Sequence, residues 1–130
     1  QDIIENKPTF FVDMFRVRID PKKSENTEKM LVFNFSNGTT AGLHVRRGIA
    51  EFVSDPTHHY KQADISFNID SKTWAALYLN ATTLEDAAKS GGVKMTKGSM
   101  DDLKAVMDLF DKFDPSKNFT IPEIETDDFR

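Results

Sequence analysis

Residues 63–78 read ADISFNIDSKTWAALY, and within this stretch the hydrophobic pattern changes from that of a strand to that of a helix. Ile65, Phe67 and Ile69 alternate with polar residues, as on a β-strand that buries one face. Asp70 is a residue type that often caps the N-terminus of a helix. The apolar residues of the helix that follows are Trp74, Leu77 and Tyr78. The stretch therefore predicts a half-buried strand joined directly to a short helix.

Three more strands are predicted upstream of this point. Residues 31–35 and 43–45 carry strand-like apolar patterns, and the Asn37-Gly38 pair between them is typical of a two-residue hairpin turn. After a break at Gly48, residues 49–53 return to a strand pattern. Tight turns between successive strands favour an antiparallel meander.

A helix is predicted before these strands. Residues 10–19 have apolar side chains at helical spacing, with Thr9 as the N-cap and Asp20-Pro21 as the end. A polar loop is predicted over residues 22–29.

Downstream, two helices and a strand complete the pattern. Thr82 to Glu85 resembles a capping box, and Gly91-Gly92 ends the short helix that it starts. Residues 93–95 form a last strand, and Gly98-Ser99 begins a final helix that Asp114-Pro115 closes. The apolar stripe of that final helix consists of Leu103, Val106, Met107, Phe110 and Phe113.

Taken in order, these elements predict an α+β fold: a five-stranded, mostly antiparallel sheet with helices covering one face. The 130 residues fit one domain, residues 1–130. We expect an ordered core over about residues 9–122 and a frayed acidic tail over 123–130.

The composition argues against several classes of function. The net charge is −4 and no basic stripe is present, so we expect no nucleic-acid partner. The sequence has no cysteine, which excludes disulfides and thiolate chemistry. No run of about 18 apolar residues is present, so we do not expect an integral membrane protein.

No residue set predicts a catalytic or metal site, and no cofactor is expected. His58 and His59 are expected to be solvated in a loop, and His44 is expected on the polar face of a strand. A catalytic zinc usually takes three protein ligands at defined spacing, and that pattern is missing. Asp108 lies four residues from both Lys104 and Lys112, which is typical of ion pairs on an exposed helix face.

Two segments together resemble the C-terminal domain of alkyl sulfatases. One is FVDMFRVRIDP, residues 11–21, which is similar to that domain's opening helix. The other, residues 63–115, has the family's order of strand, helix, Thr-Leu-x-Asp-Ala-like turn, glycine-capped strand and terminal helix. The resemblance covers roughly residues 10–122 and departs from the family's usual Gly-Asp at Gly98-Ser99.

The resemblance implies a sterol-carrier-protein-2-like fold with a hydrophobic groove between the sheet and its helices. In the parent enzymes this domain follows a metallo-β-lactamase-type zinc domain and a helical dimerisation domain, and it helps to seat the alkyl chain of the substrate. The histidine-rich motif of the zinc domain is absent from this sequence.

The leading hypothesis is a non-catalytic domain that binds an alkyl chain, fatty acid or other lipid, as the C-terminal tail-binding module of an alkyl sulfatase-like enzyme. Its partners would then include the catalytic domain of the parent enzyme. A freestanding lipid or sterol carrier and a structural docking or dimerisation domain, including a homodimer, remain as alternatives. The hypothesis places the hydrophobic groove between six residues: Phe67, Trp74, Leu77, Leu103, Met107 and Phe110.

Overall fold

A computed structural model describes residues 2–112 of the chain. The strands are β1 (Glu28–Phe35), β2 (Thr40–Arg46), β3 (Ile49–Val53), β4 (Ile65–Ile69) and β5 (Val93–Lys97). The helices are α1 (Asp2–Asn6), α2 (Pro8–Phe15), α3 (Pro21–Ser24), α4 (Ser71–Tyr78), α5 (Leu84–Lys89) and α6 (Met100–Met107). Short 3₁₀ turns occupy Arg16–Arg18 and Pro56–His58. Phe113, the predicted stop at Asp114-Pro115 and the acidic tail lie outside the described residues.

The five strands form one sheet in the order β3-β2-β1-β4-β5. Three neighbouring pairs are antiparallel, which confirms the predicted mostly antiparallel sheet. The simple meander is wrong, because β1 and β4 are parallel, with Phe33 opposite Phe67. After the edge strand β3 the chain crosses back over the sheet. Strand β4 therefore pairs with β1, on the side opposite β2, and not with β3.

The helices cover one face of the sheet and bury its apolar side chains. Val12, Phe15, Trp74 and Ala75 from α2 and α4 belong to the same core cluster as the strands. Strand residues buried in this cluster include Leu31, Phe33, Phe35, Leu43, Val45, Ile65, Phe67 and Ile69. Burial of this apolar area is the main force that holds the two layers together.

The opposite face of the sheet carries a second, smaller cluster. Met30, Val32 and Val53 are buried there, and Ala63 packs against them. Ala63 and the buried Pro56 belong to the segment that connects β3 to β4. This segment therefore lies against the second face, where it shields part of the sheet from water.

The helix predicted over residues 10–19 corresponds to α2, which differs from the prediction at both ends. The helix begins at Pro8, with Lys7 at the N-cap position and no capping bond from a side chain, so Thr9 is not the N-cap. Proline is well suited to the first helical turn because the missing N–H would have had no partner there. The α-helix ends at Phe15 and continues as a 3₁₀ turn to Arg18.

Asp20 starts a helix as well as ending the preceding segment. Its carboxylate accepts hydrogen bonds from the backbone N–H groups of Lys22 at 3.0 Å and Lys23 at 3.2 Å. The bonds cap α3, which occupies part of the predicted polar loop. A local Asp-Pro pair is compatible with both roles, since proline ends one helix and can open the next.

The helices after the sheet follow the predicted order. Asp70 caps α4, as predicted, whereas α5 is capped by Thr83 and not by Thr82. Ser99 and Asp102 form a reciprocal capping box at the start of α6. The helix ends at Met107, earlier than predicted, and Phe110 then pairs with Ile19 in an isolated antiparallel bridge. Within residues 2–112, no helix has the length and apolar character needed to cross a membrane.

Candidate functional site

A cavity of about 240 Å³ lies between the 3₁₀ turn that follows α2, the end of α4, the start of α5 and the end of α6. Its apolar wall is formed by Phe15, Leu77, Leu84, Met107 and Phe110. The remaining lining residues are polar or charged: Arg18, Asn80, Thr82, Thr83, Glu85, Lys104, Asp108, Asp111 and Lys112. The site thus joins an apolar interior to a charged mouth.

The position of the inner wall is fixed by backbone pairing between two distant segments. The N–H of Asp20 donates to the carbonyl of Leu109 at 2.8 Å, and the N–H of Asp111 donates to the carbonyl of Arg18 at 2.7 Å. Phe110 lies between these two bonds and stacks on Phe15 with ring centroids 4.5 Å apart. The two rings therefore form one continuous apolar surface on the inner side of the cavity.

An ion-pair network links α5 and α6 at the charged mouth of the cavity. The Lys104 ammonium lies 3.4 Å from the Glu85 carboxylate on α5 and 3.3 Å from the Asp108 carboxylate. Lys112 lies 3.9 Å from Asp108, so the predicted ion-pair face is confirmed. The hydrogen bond and charge of Asp108, together with Glu85, raise the pKa of Lys104. A backbone hydrogen bond, together with Lys104, lowers the pKa of Glu85.

Arg18 forms part of the cavity wall beside Tyr78. Its guanidinium lies 4.0 Å from the centre of the Tyr78 ring and 5.5 Å from that of Phe15. Its Nη1 also donates to the Tyr78 carbonyl at 2.7 Å. Burial lowers the pKa of Arg18, and the neighbouring Tyr78 offsets part of this effect. The side chain stays charged at any ordinary pH, since guanidinium does not lose its proton in proteins.

The structure brings together three of the six predicted groove residues. Leu77, Met107 and Phe110 line the cavity. Phe67, Trp74 and Leu103 are instead no more than 2% exposed and belong to the packed core behind it. Helical or alternating spacing places all six side chains on the buried side of their elements, but spacing alone cannot tell a cavity wall from a filled core.

Two apolar wall residues were not singled out from the sequence. Phe15 was predicted on the apolar face of the first helix, and Leu84 was predicted in a short helix. Both contribute to the cavity because the turn after α2 meets the start of α5 across the end of α6. No local pattern carries this information, since it depends on how three separate helices meet.

Trp74 is the largest fully buried side chain, and it lies directly behind the cavity wall. Its ring packs edge-on against Phe15 at 5.3 Å, Phe33 at 5.1 Å and Tyr78 at 5.8 Å. The buried Nε1 of this indole has no hydrogen-bond partner among the described residues. Buried tryptophan N–H groups usually find a partner, so this donor is an exception.

The histidines lie away from the cavity. His58 is solvated as predicted, with 82% of its side chain exposed. His44 is completely buried, so its predicted solvated position is wrong. The connection from β3 to β4 covers it, with the His59 ring 5.5 Å from the His44 ring. On the neighbouring strand β1, Glu28 Oε2 lies 3.1 Å from His44 Nε2. Within residues 2–112, no group of three or more His, Cys, Asp or Glu side chains is arranged to hold a metal ion.

Residues 2–122 match the family model described as alkyl sulfatase C-terminal. Among solved structures, the stereoselective inverting sec-alkylsulfatase Pisa1 from Pseudomonas sp. is similar, with a TM-score of 0.70 and 23% identity. The alignment covers 84% of this chain and 17% of the Pisa1 chain. No curated protein matches the chain in sequence at a significant level.

Smaller proteins share the fold over nearly their whole length. Palmitated SCP2L2 from Aedes aegypti aligns with a TM-score of 0.60 and 12% identity, covering 83% of this chain and 97% of that one. The UbiJ-SCP2 ubiquinone synthesis protein aligns with a TM-score of 0.58 and 13% identity, covering 83% of this chain and 93% of that one. At this level of identity the likeness establishes the sterol-carrier-protein-2-like fold, as the sequence predicted.

Proposed function

This chain belongs to the alkyl sulfatase C-terminal family, and on that premise we propose that it is a non-catalytic domain that binds the hydrophobic chain of an amphiphile. The observation that carries the proposal is the cavity between α4, α5 and α6, with its apolar wall and charged mouth. An amphiphile has the same division between a water-avoiding chain and a hydrated head.

The composition of the wall suits an alkyl chain. Phe15, Leu77, Leu84, Met107 and Phe110 offer no hydrogen-bonding side-chain group to a ligand, apart from the weakly accepting sulfur of methionine. Methionine is unbranched and adapts to irregular shapes, which favours a wall that fits chains of differing conformation. The charged residues at the mouth can remain in water beside a polar head group.

The size of the cavity limits how much of a chain it holds. Its volume of about 240 Å³ is below the roughly 300–1,000 Å³ of typical small-molecule pockets. We therefore propose that it takes one end of an alkyl chain and leaves the head outside. Each buried methylene contributes about 0.8 kcal/mol before the costs of association, so affinity should rise by a factor of about 4 per methylene until the cavity is full.

In this proposal the chain acts as one part of a larger alkyl sulfatase-like enzyme. The chain spans 17% of the length of Pisa1, so sulfate ester chemistry would belong to the rest of the parent protein and its catalytic domain. Palmitated SCP2L2 from Aedes aegypti is a relative of the same fold, which supports a fatty chain as the ligand class.

Binding can be tested directly with a series of n-alkyl carboxylates or sulfates from six to fourteen carbons, each kept below its micelle concentration. Trp74 is the single tryptophan, and it lies behind the cavity wall, so its emission reports on occupancy. We expect saturable binding that tightens with chain length and then levels off. Absence of binding across the series would leave the structural docking or dimerisation role.

A variant that fills the cavity provides the matched control. Met107→Trp adds bulk at a partly exposed wall position and should abolish binding, with calorimetry replacing fluorescence because a second indole is present. Ile49→Trp places the same bulk on an exposed position of β3 that does not line the cavity, and it should leave affinity unchanged. Equal loss in both variants would contradict the assignment of the cavity.

The non-catalytic part of the proposal has its own assay. The chain with added zinc should not hydrolyse dodecyl sulfate above the buffer rate. Measurable turnover that disappears when His58 or His59 is replaced by Ala would overturn it.

A further inference from the structure

The indole N–H of Trp74 has no hydrogen-bond partner among the described residues although the side chain is completely buried. Three aromatic rings pack against the Trp74 indole in T-shaped geometry, and aromatic faces are weak hydrogen-bond acceptors compared with oxygen. A buried donor without an oxygen acceptor is a costly feature that calls for an explanation, such as a water or a ligand atom.

The Phe15 ring lies between the Trp74 indole and the cavity. Phe15 lines the cavity on one side and contacts Trp74 on the other, with the two ring centroids 5.3 Å apart. Trp74 also lies one helical turn before Leu77 on α4, so both side chains project from the same face of the helix. A ligand that follows this face inward from Leu77 meets Phe15 and then Trp74.

Displacement of Phe15 would enlarge a cavity that is small for an alkyl chain. The cavity measures about 240 Å³ with Phe15 in place. The ring packs against Phe110, Trp74 and Tyr78, so its displacement requires a new side-chain rotamer together with a shift of these neighbours. Beyond Phe15 lies the packed core around Trp74, where the indole N–H is a polar group without a hydrogen-bond partner among the described residues.

We propose that the bound state extends the cavity past Phe15 to Trp74, and that the preferred ligand is an alkyl chain with a neutral oxygen near its buried end, as a hydroxyl, keto or ester group. This oxygen accepts the hydrogen bond of Trp74 Nε1. The inference rests on the proposed alkyl-binding function and adds the chemical class of the chain. A charged inner end is disfavoured, because an ion among Phe15, Phe33 and Tyr78 would lose its hydration, and the Arg18 guanidinium beside Phe15 and Tyr78 already donates to the Tyr78 carbonyl.

A matched pair of ligands distinguishes a purely apolar cavity from one in which Trp74 Nε1 donates to a ligand oxygen. Dodecanoic acid and 12-hydroxydodecanoic acid share a head and a chain, and they differ only in the terminal hydroxyl. In a purely apolar cavity the hydroxyl acid should bind at least about tenfold more weakly, because its hydroxyl would be buried without a partner. We expect instead that the two bind to the wild-type chain with similar affinity, or that the hydroxyl acid binds more tightly.

The variant Trp74→Phe removes the N–H and keeps an aromatic ring. By calorimetry, it should weaken 12-hydroxydodecanoic acid by about tenfold more than dodecanoic acid, since it leaves the hydroxyl unpaired. An equal effect on the two ligands would overturn the inference. Failure of dodecanoic acid to bind to the wild-type chain would overturn the proposed function as well.

A measurement on the wild-type chain covers the case in which Trp74→Phe does not fold. The single indole N–H gives one nitrogen-15 correlated resonance in an NMR spectrum. This resonance should move downfield with 12-hydroxydodecanoic acid and move less, or not at all, with dodecanoic acid. The same displacement with both ligands would show that the N–H does not bond to the ligand oxygen.

Phe15→Leu tests the wall itself. A smaller side chain at this position should strengthen binding of both acids several-fold and enlarge the change in Trp74 emission on binding. Unchanged affinity and unchanged Trp74 emission on binding would contradict entry past Phe15.

Discussion

At the scale of single residues, Phe110 has two roles. Its side chain is 3% exposed and belongs to the core cluster, and it also forms the inner wall of the cavity. Since α6 ends at Met107, Phe110 is held by backbone pairing of its neighbours with Arg18 and Asp20 and not by helical geometry. Phe110 therefore contributes both to the packed core and to the wall of the proposed binding cavity.

Truncation of Phe110 tests how much its ring contributes to stability. Phe110→Ala removes a buried ring stacked on Phe15, and we expect a loss of about 3–5 kcal/mol in the free energy of unfolding. Phe10→Ala is the matched control, since Phe10 is 52% exposed, and it should change stability by less than about 1 kcal/mol. Urea unfolding measures both values. A loss below about 1 kcal/mol for Phe110→Ala would show that the inner wall is not packed as described.

At the scale of elements, the start of α6 is fixed by local hydrogen bonds. Ser99 Oγ accepts from the N–H of Asp102 at 3.1 Å, and the Asp102 carboxylate accepts from the N–H of Ser99 at 3.2 Å. α6 carries Met107 into the cavity wall and Lys104 to its mouth. The capping box therefore helps to position both parts of the site.

Removing this cap should destabilise the domain without affecting its sheet. We expect Ser99→Ala to cost about 1 kcal/mol, within a range of roughly 0.5–2 kcal/mol. Ser54→Ala, at an exposed position between β3 and the 3₁₀ turn, should cost less than about 0.5 kcal/mol. Thermal and denaturant unfolding measure the stability loss of each variant. Equal losses for Ser99→Ala and Ser54→Ala would contradict the capping role of Ser99.

The ion pairs between α5 and α6 should depend on pH in a defined direction. The pKa of Glu85 is lowered, so its contribution is present above its unfolded pKa and is lost as the pH falls through the folded pKa. The pKa of Lys104 is raised, so its contribution is present below its unfolded pKa and is lost as the pH rises through the folded pKa. The ion pair between Glu85 and Lys104 should therefore stabilise the domain most between about pH 5 and pH 10.

The comparison of wild type with Lys104→Met checks this expectation. Both side chains are exposed, so the difference in melting temperature should be small, should peak within that window and should shrink in 1 M salt because exposed charges are screened. A difference that does not vary with pH or salt would show that the lysine acts through packing of its methylenes.

At the scale of the whole molecule, a ligand that binds only the folded domain should stabilise all of it. The wall is assembled from α2, α4, α5, α6 and the segment after α6, and these elements span most of the described chain. Unfolding of any one of them would remove the cavity, so ligand binding is linked to global folding.

Saturation with a well-matched alkyl ligand should therefore raise the melting temperature. At 100 times the dissociation constant the gain is about 2.7 kcal/mol, which corresponds to a shift on the order of 10 °C for a domain of this size. Met107→Trp should lose the shift and Ile49→Trp should keep it. A shift that persists in the filled variant would place the ligand at another site.

The sequence by itself determined most of the elements and their type. Alternation at Ile65, Phe67 and Ile69 and the caps at Asp70 and Ser99 are local features, and the structure contains them where they were predicted. Backbone conformation, side-chain direction and capping depend on a few neighbouring residues. A single sequence therefore carries this information.

The tertiary structure alone decided the parallel pairing of β1 with β4, the early end of α6 and the division of the apolar residues between core and cavity. The spacing within their elements predicts Phe67, Trp74 and Leu103 on an apolar face just as it does Leu77, Met107 and Phe110, yet the first three are enclosed in the core and the others line the cavity. Periodicity gives the direction of a side chain within its own element. Whether that side chain meets another side chain or an empty space depends on how distant elements pack together, and no local pattern encodes it.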